Sequence, residues 1–201
     1  MYTPIHKAFY ERHPTEVARD LLGALLVRKV NNEVLVGRIV ETEAYGGRDD
    51  PASHAYRGNK GRASVMFGEV GRAYVYFTYG NHYCLNVVAR SFYEEAGAVL
   101  IRALEPLQGL STMIKNRGLS DPLNLTNGPG KLTKAFAIDL RFNGIDLTKR
   151  ADLFIAKGKL RPSEKIATST RIGIKDAKDR EWRFFVANNP YVSTLREPLV
   201  R

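Results

Sequence analysis

The chain has 201 residues, 44% apolar and 26% charged, an ordinary globular balance that excludes disordered and fibrous classes. Lys and Arg number 31 against 21 Asp and Glu, a formal net charge of +10, and residues 101–201 carry 19 basic and 10 acidic side chains against 12 and 11 before them. Such a face attracts a polyanion, nucleic acid first, with solubility alone as the plain alternative. A single cysteine, Cys84, excludes an intrachain disulfide, a thiolate zinc cage and a cluster site, and points to a reducing compartment. No apolar run approaches the roughly 20 residues of a membrane helix. Pro4 and His6 stand where a secretory peptide would have its apolar segment. The expectation is a cytoplasmic protein, nucleoid-associated in a prokaryote, with no membrane or secretion signal.

In chain order, Pro14 followed by Thr15–Leu22 predicts a short helix that Gly23 ends. Ala24–Val30 is an apolar run, Asn31-Asn32 a turn, and Val34–Tyr45 a long strand. Residues 46–71 are loop-like. Tyr74–Thr78 and Tyr83–Ala89 predict strands around a turn at Tyr79-Gly80-Asn81-His82. Ala98–Leu104 predicts a buried strand, and Pro106 precedes a helix over Leu107–Asn116 that Gly118 stops. Asn127-Gly-Pro-Gly130 leads into a helix over Lys131–Ile138, with Leu132, Ala135 and Phe136 on one face. Leu153–Ala156, Ile166–Ile174 and Trp182–Ala187 are strand-like. Strands and helices do not alternate regularly, so the predicted class is α+β: one domain over residues 1–201, a curved, mostly antiparallel sheet surrounded by short helices.

Alternation along the strand ending at Tyr45 places Ile39, Glu41, Glu43 and Tyr45 on one face and Val40, Thr42 and Ala44 on the other. Two carboxylates and a tyrosine therefore line up where a strand gives way to a loop, a place that suits catalysis; a solvated strand face is the plain alternative. Residues 73–83 carry four tyrosines, Phe77 and His82. Strand tyrosines commonly fill cores, but Tyr79 at a hairpin tip suits stacking on bases or wedging between them. Arg57, Lys60 and Arg62 in a flexible loop suit phosphate contacts, or form a solvated basic loop. Lys131 at a helix start after Gly128-Pro129-Gly130 offers an ammonium and free N–H groups to an anion. His6, His13, His54 and His82 have no metal-ligand spacing, and a nucleophilic-serine elbow is absent from the sequence, so no metal and no cofactor are expected.

The blocks Arg38-Ile-Val-Glu-Thr-Glu-Ala-Tyr45, Ala52-Ser-His54, Tyr74-Val-Tyr76 with Tyr79-Gly80, Asn86, Leu100-Ile-Arg-Ala-Leu-Glu-Pro106, Gly128-Pro-Gly-Lys-Leu132 and Arg171-Ile-Gly-Ile174 follow one another in this order. Together, from about Pro14 to Val192, they closely resemble the alkyladenine (3-methyladenine) DNA glycosylases, the methylpurine repair glycosylases without a helix-hairpin-helix. The resemblance implies a monofunctional enzyme that flips a damaged purine out of double-stranded DNA and hydrolyses its N-glycosidic bond with water. It implies Glu43 as the general base, and Tyr45, His54 and Tyr76 as walls around the flipped base. Tyr79 would fill the gap left in the DNA, Asn86 would disfavour guanine, and Arg102 would contact the backbone of the flipped nucleotide. Glu41 would then serve in a salt bridge or a supporting hydrogen bond. If Tyr76 and Asn86 pair across the hairpin, Tyr79 pairs with Tyr83, and either the turn holds three residues, Gly80-Asn81-His82, or the hairpin carries a bulge. A small enzyme of this kind can work as a monomer. Two other functions compete: a non-catalytic module whose tyrosines stack on single strands, and a hydrolase of free nucleosides.

Overall fold

The computed structural model describes residues 1–78 and 82–193. Its organising element is the 13-residue strand β2 (Glu33–Tyr45). One edge of β2 pairs with β5 (Ala98–Gln108). The other edge is shared, by β1 (Leu25–Val30) along residues 33–38 and by β8 (Arg183–Val186) along residues 41–43. β4 (His82–Val88) joins β5, β3 (Ala73–Thr78) joins β4, β6 (Leu153–Ala156) joins β1, and β7 (Ile166–Ser169) joins β8. All these pairs are antiparallel, and the eight strands form one curled sheet in the order β3-β4-β5-β2-β1-β6, with β8 and β7 branching from β2. Short helices flank the sheet, so the α+β class and the curved antiparallel sheet are as the sequence predicts.

Helix α1 (Pro14–Asp20) has proline in its first turn and the His13 side chain accepting from the Thr15 N–H at its start. Its buried Val17 and Ala18 pack onto β2, β5 and β8. Gly23 lies at φ +89°, and a Cβ there would stand 2.4 Å from the Lys159 carbonyl carbon, so only glycine fits. Helix α2 (Leu110–Arg117) starts later than expected because β5 runs on to Gln108. Pro106 does not end that strand. The β2–β5 register shifts there, with Val36 opposite Gln108 and Gly37 opposite Pro106, and a bulge tolerates a residue that has no N–H. Helix α3 (Pro129–Ala135) buries Leu132 and Ala135 against β4 and α2, with Phe136 buried just beyond its end. The strand expected over Ile166–Ile174 ends at Ser169, and the stretch 46–71 contains 3-10 turns at His54–Arg57 and Gly61–Phe67. No helix among the described residues is long and apolar enough to cross a membrane.

The expected grouping of Ile39 with Glu41 is overturned. Ile39 pairs with Leu104 but Glu41 with Ala103, and the next step, Glu41 to Thr42, skips Arg102. The extra residue Val40 changes the phase of β2, and the extra residue Arg102 on β5 then restores the register, so Ile39 and Val40 both enter the main core, as does Ala44. Glu41, Glu43 and Tyr45 emerge on the opposite face. The hairpin also differs from expectation. Asn86 pairs with Tyr74, Tyr76 with Cys84, Phe77 with Tyr83 and Thr78 with His82. His82 is thus a strand residue and Tyr83 has another partner, while Tyr76 and Asn86 remain on one face because their offset is two residues. Tyr79, Gly80 and Asn81 lie outside the described residues.

Candidate active site

The face that β2 turns away from α1 is polar because its neighbours are. Thr42 on the α1 side donates to the Ala18 carbonyl at 2.7 Å, while Glu41 and Glu43 face the guanidinium groups of Arg102 and Arg183. Both carboxylates are fully buried. Buried charge is tolerable only when paired and hydrogen-bonded, and here two carboxylates meet two guanidiniums. Glu41 accepts from Arg102 Nε (3.0 Å), Arg183 Nε (2.8 Å), the Ser193 N–H (2.7 Å) and Ser193 Oγ (2.8 Å). The salt bridge expected for Glu41 is therefore present.

Glu43 is held differently. Its Oε2 accepts from the Tyr45 hydroxyl (2.8 Å) and Arg102 Nη1 (3.2 Å), and its Oε1 from the Ile172 N–H (2.6 Å). An ionised carboxylate has about four acceptor positions, so these contacts leave room for one more donor. Burial, reinforced by Glu43, raises the Tyr45 hydroxyl well above its ordinary value and keeps it a donor. Burial opposes the charge on Arg102, but Glu43 and Glu41 outweigh it and hold the guanidinium above its ordinary value.

In front of this pair opens a cleft of about 510 Å³, large enough for a purine. Tyr45, His54, Tyr76, Asn86 and Arg102 all line it, so five predicted residues from five separate elements meet in one place. Glu43 lies behind the wall, bonded to three of the lining residues, Tyr45, Arg102 and Ile172. His54 packs edge-on to Tyr76, centroids 4.7 Å apart, and its Nδ1 shares a 2.8 Å hydrogen bond with the Tyr74 hydroxyl. Desolvation against the cleft wall, then nearby Arg62, lowers the His54 pKa below 6.5, which favours the neutral ring although the residue is exposed on its outer side. The Asn86 amide nitrogen donates to the Tyr74 carbonyl at 3.0 Å.

Of the residues expected at phosphates, Arg57, Arg62 and Lys131 lie near this opening. Arg57 and Lys60 are exposed, and Arg57 borders a second hollow that shares His54 and Asp176 with the cleft. Arg62 is exposed, with its guanidinium carbon 5.8 Å from the Tyr76 ring centre. Lys131 donates to Asn127 (2.7 Å) and Asn124 (3.2 Å), two residues from Pro129 on the cleft wall. Tyr79, expected at the tip, falls outside the described residues.

Sequence reasoning missed Tyr74 and Cys84, which line the cleft from the positions that alternation on the hairpin would have supplied. It also missed the stretch Ile172–Asp176, which closes one side; the only signal there was the Arg171–Ile174 block, which had no assigned role.

Comparison with known proteins identifies the family of the chain. The model of a family described as methylpurine-DNA glycosylase (MPG) matches residues 8–190. A protein of Carboxydothermus hydrogenoformans is 52% identical over 187 residues, covering 93% of this chain and 97% of its own length. One from Methanoculleus marisnigri is 49% identical, covering 92% and 96%. One from Chlorobium phaeobacteroides is 45% identical, covering 96% and 97%. Each of the three is named "Putative 3-methyladenine DNA glycosylase". With the blocks, the cleft and a match along nearly its whole length in agreement, the chain belongs to the methylpurine-DNA glycosylase family.

Proposed function

We propose that this chain is a monofunctional DNA glycosylase of base excision repair, acting on alkylated or deaminated purines in duplex DNA as a single-domain cytoplasmic monomer without cofactor or metal. The observation that carries the reading is a purine-sized aromatic cleft whose wall is hydrogen-bonded to one buried carboxylate with acceptor capacity left over. The damaged nucleotide swings out of the helix, at a cost of a few kcal/mol that is smaller for a damaged pair, and its base enters between Tyr45, His54 and Tyr76. Tyr79 fills the gap in the stack. Asn86 disfavours guanine, and Arg102 steadies the backbone of the extruded nucleotide.

Purines alkylated at N3 or N7 are cationic, and electron-rich rings favour a cation by roughly 0.5–2 kcal/mol per contact. A neutral His54 adds an aromatic wall without adding positive charge. Water held at the remaining acceptor position of Glu43 attacks C1′ of the sugar. The N-glycosidic bond breaks with its electron pair going to the base, which leaves neutral because it was cationic, and the water's proton goes to Glu43. Positive charge develops on the sugar as the bond breaks, and the same carboxylate stabilises it.

The test is Glu43→Gln. This variant should bind lesion-containing duplex as the wild type does while base release collapses; unchanged release would reject the assignment. Equal affinity for undamaged single strands with no base released would favour a stacking module, and release from free nucleosides would favour a nucleoside hydrolase.

A further inference from the structure

We infer that the buried pair Asp50–Arg171 is a positioning device for Glu43, holding the Ile172 N–H against its carboxylate; the inference rests on the glycosylase reading above. Neither side chain of the pair has any exposure. Arg171 grips Asp50 with both prongs of its fork, Nη1 to Oδ2 at 2.6 Å and Nη2 to Oδ1 at 2.8 Å, and Nη1 also donates to the Ala44 carbonyl at 3.0 Å. Asp50 in turn accepts from the N–H groups of Gly46 (3.0 Å) and Ala52 (3.2 Å). One carboxylate therefore ties together the end of β2, the loop that leads to His54, and the segment that follows β7.

That segment needs a tie. β7 ends at Ser169, and residues 170–176 have no regular structure, yet Ile172 and its neighbours wall the cleft. Arg171 and Ile172 share one planar peptide, so fixing the Arg171 side chain and its Cα leaves few torsions between the fork and the Ile172 amide. The Arg171 guanidinium also lies 4.8 Å from the Tyr45 ring centre and 5.1 Å from that of Trp182, wedged behind a cleft wall. Of the three groups bonded to Glu43, Tyr45 and Arg102 stand on the sheet itself, and the Ile172 N–H arrives only through this segment.

A purely stabilising role explains the pair poorly. Buried ion pairs are often replaceable by apolar residues without loss of stability. A fork that fixes a neighbouring amide has no such substitute, because lysine lacks its planar geometry.

The experiment compares wild type, Arg171→Lys and Asp50→Asn on methylated duplex DNA, each also in the Glu43→Gln background. Base release under single-turnover conditions, duplex affinity and thermal unfolding are measured. The expected result is release slowed by about 10- to 100-fold in each single variant, with affinity within about threefold of wild type. In the Glu43→Gln background neither substitution should slow the residual rate further, because the pair acts through Glu43. Single variants that release base at the wild-type rate would overturn the inference. So would an equal slowing in the Glu43→Gln background, or loss of folding in both variants, since either makes the pair structural. A wild-type protein that releases no base rejects the glycosylase reading itself, a result distinct from wild-type release with unaffected variants.

Discussion

Glu41 and Glu43, two residues apart on one face of β2, are joined by a single guanidinium, with Arg102 Nε 3.0 Å from Glu41 and Nη1 3.2 Å from Glu43. The two carboxylates differ in what else they hold. Glu41 is saturated by four donors, whereas Glu43 has three, all from the cleft wall. Glu41→Ala should therefore act first on stability. It leaves Arg102 and Arg183 buried beside too few acceptors, at a cost of about 3–5 kcal/mol in chemical denaturation. A loss below about 1 kcal/mol would show that Glu41 is not the anchor of this network.

Acid should erode stability through a second network. Arg38 donates to Glu105 and Glu164, and Arg161 bridges the same two carboxylates. The Arg38 hydrogen bonds hold Glu164 at about 2. Burial opposes ionisation of Glu105, but Arg161 and Arg38 more than offset it and keep its pKa below the ordinary value. Carboxylates with depressed values stabilise the fold above their unfolded value of 4.5 and cease to do so as pH falls through the folded one. Stability should thus decline between about pH 4.5 and 2. In Arg38→Met the decline over that window should be shallower, as urea midpoints measured across pH would reveal; an identical slope rejects the assignment.

His54 should titrate below 6.5, since burial and then Arg62 disfavour its charged form. Nuclear magnetic resonance of the imidazole across pH would follow it. Arg62→Gln should move the midpoint upward by removing the second of those causes, and a midpoint that stays put would mean Arg62 is electrostatically remote.

Salt should weaken binding to undamaged duplex steeply, because the contacts proposed for Arg57, Lys60, Arg62 and Lys131 are to phosphates. Lys60 is exposed and outside the cleft lining, so Lys60→Gln should flatten the plot of log affinity against log salt by about 0.9. It should leave the single-turnover rate on bound lesion unchanged. An unaltered slope would remove Lys60 from the interface.

Most elements were legible because the chain is well punctuated. Pro14, Asn31-Asn32 and Gly118 mark boundaries by backbone restrictions that hold in any context. Pro106, expected between the strand and the next helix, stays within β5 because a bulge is one of the strand settings that tolerate proline. The hairpin lies where the sequence places it, but its pairing differs by two residues, a slip that keeps every side chain on its face, so Tyr76 and Asn86 still share one. The face of Ile39 was wrong, since strict alternation has no way to register an inserted residue. The Asp50–Arg171 pair was invisible for another reason. Its members are 121 positions apart, and nothing local distinguishes a charge that will be buried from one that will be solvated.

The bulges in β2 and β5 also divide one strand into two chemical regimes. Before Val40, β2 turns Leu35 and Ile39 into the main core, and their tolerance to change is governed by volume. Beyond it, the outward positions are occupied by Glu41, Glu43 and Tyr45, and tolerance is governed by hydrogen-bond geometry. A single extra residue thus lets a continuous ribbon fill the apolar core along half its length and carry a buried polar network along the other. The buried carboxylates of Glu41 and Glu43 inherit the rigidity of the core without sharing its face.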